Sequence, residues 1–185
     1  MVSIESFAPK AWGGICSLLG GAGRIKTTKC TDYFVVNLRS SSGEPAQWSR
    51  DQGWQMRTKG WHLDDPSVAT SLKAWKHGLI VMFLFSDVAP RGGGTGLVCD
   101  SPAKVARLLA GTDTGVDFVD SYDAVESVLG ECQDFHDITG EVGDAILIHP
   151  LMIHASTLNV SGKIRWMSNP LVFLNEPMDF ERSDP

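Results

Sequence analysis

Short apolar runs broken by glycine, proline and asparagine set the pattern of this chain, and long stretches of helical period are few. Tyr33 to Leu38 (YFVVNL) is aromatic and β-branched and predicts a strand. Trp54 to Leu63 alternates bulky and polar residues, the period of a half-buried strand. Leu79 to Phe85 is continuously apolar, which predicts a strand covered on both faces. Pro90, Arg91 and the glycines Gly92 to Gly94 break it, and Thr95 to Cys99 resumes extended structure. From Phe135 onward the pattern predicts FHDITGEV, DAILIH, MIHAS and a long Arg165 to Leu174 as strands. Two segments carry helical period: Ser101 to Ala110, with Ser101 as the expected N-cap and Pro102 in the first turn, and Tyr122 to Leu129. Residues 65–77, DPSVATSLKAWKH, read as a polar excursion with at most a short helical turn. The first thirty residues are Gly-rich and mixed. Their GGAG (Gly20 to Gly23) lacks the Gly-Lys-Ser/Thr ending of a phosphate loop and predicts a turn or helix C-cap. Many strands and few helices favour a mainly β sandwich or jelly-roll over an α/β fold.

Composition narrows the class. With 185 residues and 43% hydrophobic content, residues 1–185 are expected to form a single domain with a real core. A net charge of −6 and a pI near 5.3, with Lys and Arg scattered, argue against a nucleic-acid or anionic-membrane surface. The apolar run Leu79 to Phe85 is far too short to span a bilayer. The N-terminal MVSIESFAPKAWGG lacks the basic region and apolar core of a secretory signal. Cys16, Cys30, Cys99 and Cys132 form no CxxC pair, the pattern of reduced thiols rather than a disulfide framework or zinc knuckle. A cytoplasmic protein is the expectation, and the sequon Asn159-Val160-Ser161 is then a chance match.

The chemistry concentrates around GWHLDD. On a strand, His62 and Asp64 lie two apart and project from one face, presenting an imidazole and a carboxylate to a common point. Two histidines and one carboxylate on one side of a metal are the ligand set of non-haem Fe(II) oxygenases. Among the other histidines, His77 neighbours Lys76 in an apparent surface loop and is expected to be solvated. His136 is adjacent to Asp137, and neighbouring strand residues face opposite sides, so that pair is not expected to share a metal. His149 ends a strand and reads as a core histidine. His154 is favoured as third ligand because it stands eleven residues before Arg165, a spacing suited to two antiparallel strands. Arg165 offers a two-pronged donor for a dicarboxylate, and Ser156 a further hydroxyl.

Three blocks, GWHLDD, GLIVMFLFSDVAPRGGGTGLVCDSP and TGEVGDAILIHPLMIHASTLNVSGKIR, resemble in order the phytanoyl-CoA dioxygenase (PhyH-like) branch of Fe(II)/2-oxoglutarate oxygenases. The likeness runs from Gly60 to Pro177. It implies a double-stranded β-helix, Fe(II) held by His62, Asp64 and His154, and 2-oxoglutarate bound by Arg165 with Ser156. It further implies that Gly94-Thr95 lines the cosubstrate side of the pocket and that Gly143-Asp144 turns the chain into the strand preceding the third ligand. The implied reaction uses O2 to oxidise a C–H bond of a small-molecule substrate, hydroxylation being the expected outcome, as 2-oxoglutarate becomes succinate and CO2. Two other readings use the same fold: a cupin-like metal-dependent isomerase or lyase, and a non-catalytic PhyH-like subunit completing another oxygenase. Trp54, Met56, Phe83, Phe85, Met167 and Asn169 are the residues expected to line a cavity or fill the barrel.

Overall fold

The computed structural model describes residues 2–27, 29–30, 33–39, 48–49, 53–54, 60–64, 72, 76–112, 115–116 and 122–178. Two helices come first, α1 (Ile4–Phe7) and α2 (Pro9–Leu19), where no helical period was evident among the glycines. Pro9 starts α2 at a position where its missing N–H costs nothing, and Gly20, at φ 80°, ends it as a left-handed cap. That part of the GGAG run is therefore a helix terminus.

The strands are β1 (Val35–Asn37), β2 (Trp48–Ser49), β3 (Gly53–Trp54), β4 (His77–Leu84), β5 (Thr95–Val98), β6 (Phe135–Asp137), β7 (Ala145–Ile148), β8 (His154–Ser156), β9 (Arg165–Ser168) and β10 (Leu171–Phe173). Helices α3 (Ser101–Ala110) and α4 (Tyr122–Leu129) fall on the predicted ranges. The cap of α3 is Asp100, one residue earlier than expected. Ser101 instead donates its hydroxyl to the Val98 carbonyl and accepts the Ile153 N–H, tying the helix start to β5 and the approach to β8.

Among the described residues all pairing is antiparallel. A major sheet places β9 and β10 end to end along one side of β4, with β1 beyond β9 and β7 on the other side of β4. The long strand expected from Arg165 to Leu174 is interrupted at Asn169-Pro170, where proline has no ladder N–H to give. A minor sheet runs β6-β5-β8, and His62 extends it by a bridge to His154. Strands β2 and β3 form a separate hairpin. The rest of the expected Trp54–Leu63 strand (55–59) and most of the 65–77 excursion (65–71 and 73–75) lie outside the described residues.

Strand β4 shows why its sequence is unbroken in hydrophobicity. Leu79, Val81 and Phe83 face α2 together with Ile4, Ile15 and Leu19, whereas Ile80, Met82 and Leu84 face the other way, onto Leu97, Ile148 and Met167. The second group fills the space between the two sheets. On the outer side of the minor sheet, Val98, Ile153 and Trp61 pack under Val105, Leu109, Val125 and Leu129 of α3 and α4. Four layers result, helix–sheet–sheet–helix, with every β4 residue buried.

Candidate metal centre

Antiparallel pairing decides which side chains share the space between the sheets. Directly opposed residues point to the same face. Leu97 lies in the inter-sheet core and is opposed by His154 on β8 and by His136 on β6. His62 in turn exchanges both backbone hydrogen bonds with His154 at 3.0 Å. One row across the minor sheet therefore reads His136, Leu97, His154, His62, all on the inner face.

Asp64 follows His62 by two residues and meets both imidazoles. His62 Nε2 is 3.4 Å from Asp64 Oδ1, and His154 Nε2 is 3.6 Å from Asp64 Oδ2. The three ligand atoms lie within 4.8 Å of one another. The ring centroids of the two histidines are 4.4 Å apart. Each ring is fixed from behind: His62 Nδ1–H donates to the Gly60 carbonyl at 2.8 Å and His154 Nδ1–H to the Met152 carbonyl at 2.9 Å. A carbonyl only accepts, so each Nδ1 carries a proton and Nε2 is the ring atom turned toward Asp64. Burial alone pushes the Asp64 carboxyl up, but the facing imidazoles, His154 first and His62 second, hold it well below its usual value. The His62 pKa is raised, chiefly by its contact with Asp64 and against the effect of burial.

The donor set fits a divalent metal. Among the described residues, His154 Nε2 and Asp64 Oδ2 are buried and have no hydrogen-bond partner, an arrangement that costs free energy unless something fills it. Two imidazole nitrogens and a carboxylate, already oriented, suit Fe(II) or a similar ion.

Arg165 opens β9 and is 1% exposed, among the largest fully buried side chains. It shares the inner face with Met167, two residues on, which touches Thr95 through a 3.8 Å Oγ1–Sδ contact. Its Nε donates to the Gly93 carbonyl at 2.7 Å and its Nη1 to the Val35 carbonyl at 3.1 Å. Nη2 is buried with no partner among the described residues. Burial pushes the guanidinium pKa down to about 10, so it remains cationic at neutral pH with one donor arm unspent. Only glycine fits at position 93: φ is +76°, and a Cβ would come 2.7 Å from Asn159 Cβ and from Asn37 Nδ2. Asn159 is itself fully buried, donating to the carbonyls of Asn37 and Lys163, which leaves the sequon asparagine inaccessible.

The remaining sequence-predicted residues sort as follows. Thr95 is buried and directly opposes Ser156, which is exposed, so this hydroxyl pair runs from the interior to the rim. His149 is not drawn to the triad; its exposed ring accepts the Leu151 N–H through Nδ1 at 3.0 Å. His77, expected to be solvated, is 3% exposed at the start of β4. Its ring nitrogens face the carbonyls of Asp64 (3.1 Å) and Leu79 (3.2 Å), which ties the backbone of Asp64 to the major sheet. No pattern in the sequence marks it, because a His-Gly pair after a lysine looks like a loop. Phe83 faces α2 and Phe85 is 39% exposed, so neither lines the inner space; Met167 does. Met56 lies outside the described residues.

By sequence, the chain matches no family model and no curated protein. Solved structures do resemble it. EvdMO1 is 17% identical with a TM-score of 0.53, covering 92% of this chain and 31% of that one. SnoK, a non-heme alpha ketoglutarate-dependent carbocyclase from nogalamycin biosynthesis, is 14% identical with a TM-score of 0.53, covering 92% of this chain and 57% of its own. The epimerase SnoN, in complex with Fe3+, alpha ketoglutarate and nogalamycin RO, is 12% identical with a TM-score of 0.50, covering 98% of this chain and 66% of its own. The chain thus spans from 31% to 66% of the length of these structures. The fold is a double-stranded β-helix, mainly antiparallel sheet with few helices.

Proposed function

We propose that this protein is an Fe(II)/2-oxoglutarate-dependent dioxygenase that oxidises a C–H bond of a small organic metabolite. One observation carries the reading: the fully buried Arg165 keeps an unspent guanidinium arm on the inner face, where the His62–Asp64–His154 triad also points. A metal site of an isomerase or lyase has no use for a buried cation with a free donor; a chelating dicarboxylate does.

The triad would hold iron(II), which with 2-oxoglutarate would activate O2 as the oxidant, the cosubstrate leaving as succinate and CO2. The chain's own contribution is preorganisation. Gly60 and Met152 hold both rings in the tautomer that offers Nε2. Asp64 stays ionised because the imidazoles facing it favour the anion. Arg165 is pinned through Nε and Nη1, so pairing Nη2 with a carboxylate requires little further ordering. Thr95 borders that region through Met167, and Ser156 extends its hydroxyl at the rim. Hydroxylation is the outcome assigned, with O2 as co-reactant. The phytanoyl-CoA dioxygenase branch is the subgroup that GWHLDD and HASTLNVSGKIR favour.

Anaerobic titration of the Fe(II)-loaded protein with 2-oxoglutarate tests the proposal. The expected result is a weak visible charge-transfer band on chelation, lost in Arg165→Ala at the same cosubstrate concentration. Absence of the band, together with no succinate on admitting O2 with a panel of metabolites, would transfer the site to the isomerase or lyase reading.

A further inference from the structure

The minor sheet carries a second group of metal-ligating side chains, built in the same way as the triad. Cys99, Asp134 and His136 place a thiol, a carboxylate oxygen and an imidazole nitrogen within 4.8 Å of one another. Asp134 and His136 are two apart at the start of β6, as His62 and Asp64 are two apart on their own segment. The third donor comes from the antiparallel neighbour in each case, His154 for the triad and Cys99, just after β5, for this group. Backbone hydrogen bonds fix the spacing. Cys99 N–H donates to the Asp134 carbonyl at 2.7 Å, while Asp100 accepts the N–H groups of Gln133 (3.1 Å) and Asp134 (3.3 Å). Lys104 also holds the Asp100 carboxylate, which is thereby occupied and serves as an anchor.

We propose that Cys99, Asp134 and His136 form a second site for a borderline-soft divalent metal of the zinc type, with solvent completing its coordination. The chemistry of the set favours zinc, cobalt(II) or a similar ion over magnesium or calcium, since thiolate and imidazole are poor ligands for hard cations. Its place is defined by the row His136–Leu97–His154: two strand spacings, about 10 Å, separate it from the triad, with the apolar Leu97 between. Asp134 and Asp100 both lie near Cys99 and, after burial itself, are what disfavour its thiolate. A bound dication reverses that field. On binding, the thiol proton passes to solvent, a sulfur–metal bond forms, and the 2.8 Å hydrogen bond between His136 Nε2 and Asp134 Oδ1 gives way to two metal bonds. Both side chains are more than half exposed, at 63% and 56%, and so are free to make that adjustment.

Cobalt(II) separates this site from the triad, because the triad contains no sulfur. Metal-free protein titrated with Co2+ under argon is expected to develop a near-ultraviolet thiolate-to-metal charge-transfer band. His154→Ala should retain the band and Cys99→Ser should lose it while keeping the visible absorption of cobalt at the triad. His136→Ala should weaken the affinity read from the band by at least about tenfold, the cost of losing even an outer-sphere partner. No thiolate band in the wild type, or a band that survives Cys99→Ser, overturns the proposal. Should Cys99→Ser fail to fold, the exposed His136→Ala decides, and an unchanged affinity there overturns it equally. The result is independent of whether the triad binds iron.

Discussion

The triad and the Cys99–Asp134–His136 group use one construction on one face of one sheet, yet they differ in what their ligand atoms already touch. At the triad, both Nδ1 protons are spent on carbonyls behind the rings, and His154 Nε2 and Asp64 Oδ2 are left buried without partners among the described residues. At the second group, His136 spends Nε2 itself on Asp134 in a solvent-exposed pair. The first arrangement carries a standing desolvation cost that a metal relieves; the second has little to relieve and must break a hydrogen bond. Geometry alone makes a cluster, whereas orphaned, oriented donors make a site poised for its ion. Affinity should accordingly be higher at the triad.

The largest effect expected to bear on this contrast comes from His154→Ala, which should abolish metal binding at the triad, whereas His149→Ala should leave it intact. Isothermal titration of each metal-free variant with Fe(II) or Co2+ decides, and the reverse result would overturn the ligand assignment. Next, Arg165→Ala should raise the 2-oxoglutarate concentration needed for half-maximal chelation by on the order of 100-fold, the value of a charge-assisted pair of about 1.5–3 kcal/mol or more when buried. Metal affinity should stay put; if it falls in parallel, Arg165 is supporting the fold instead.

Leu97→Ala sharpens the comparison differently, by removing the wall between the groups. It should cost about 2–4 kcal/mol of stability, read from a denaturant midpoint, because Leu97 is buried among Ile80, Met82 and Met167. A loss below about 1 kcal/mol would mean the inner space collapses around the gap. The smallest effect concerns pH in the metal-free protein. The raised His62 pKa contributes stability that is complete below about 6.5 and fades as pH rises through its folded value. The depressed Asp64 pKa contributes stability present above about 3.9 and lost as pH falls through its folded value. The pair therefore favours the metal-free fold most between those limits. Unfolding midpoints of wild type and Asp64→Asn, compared from pH 6 to 8, should converge as pH rises; parallel curves would refute the coupling.

Much of the fold was legible where period and composition spoke together. The unbroken apolar run of β4 announced a strand covered on both faces, and α3 and α4 announced themselves by period. Helix α2 is hidden in the sequence because Gly13 and Gly14 interrupt its pattern, and packing of Ile15 and Leu19 on β4 adds the stability its period does not advertise. The burial of His77 is hidden for a similar reason: nothing local distinguishes a loop histidine from one stacked on Phe173. His136 has Asp137 as its chain neighbour, but its partner is Asp134, two residues back on the same face.

What the sequence by itself determined was the pair His62 and Asp64, since strand period alone places residues two apart on one face. It also determined a mainly β chain, through short runs and frequent turn residues. Tertiary structure alone decided which distant groups join them. Register, a property of pairing between strands far apart in the chain, set His154 between His62 and Leu97. Burial left one arm of Arg165 without a partner among the described residues, and the same register brought Cys99 to Asp134 and His136. No local rule contains those facts, because each depends on where a second strand is laid.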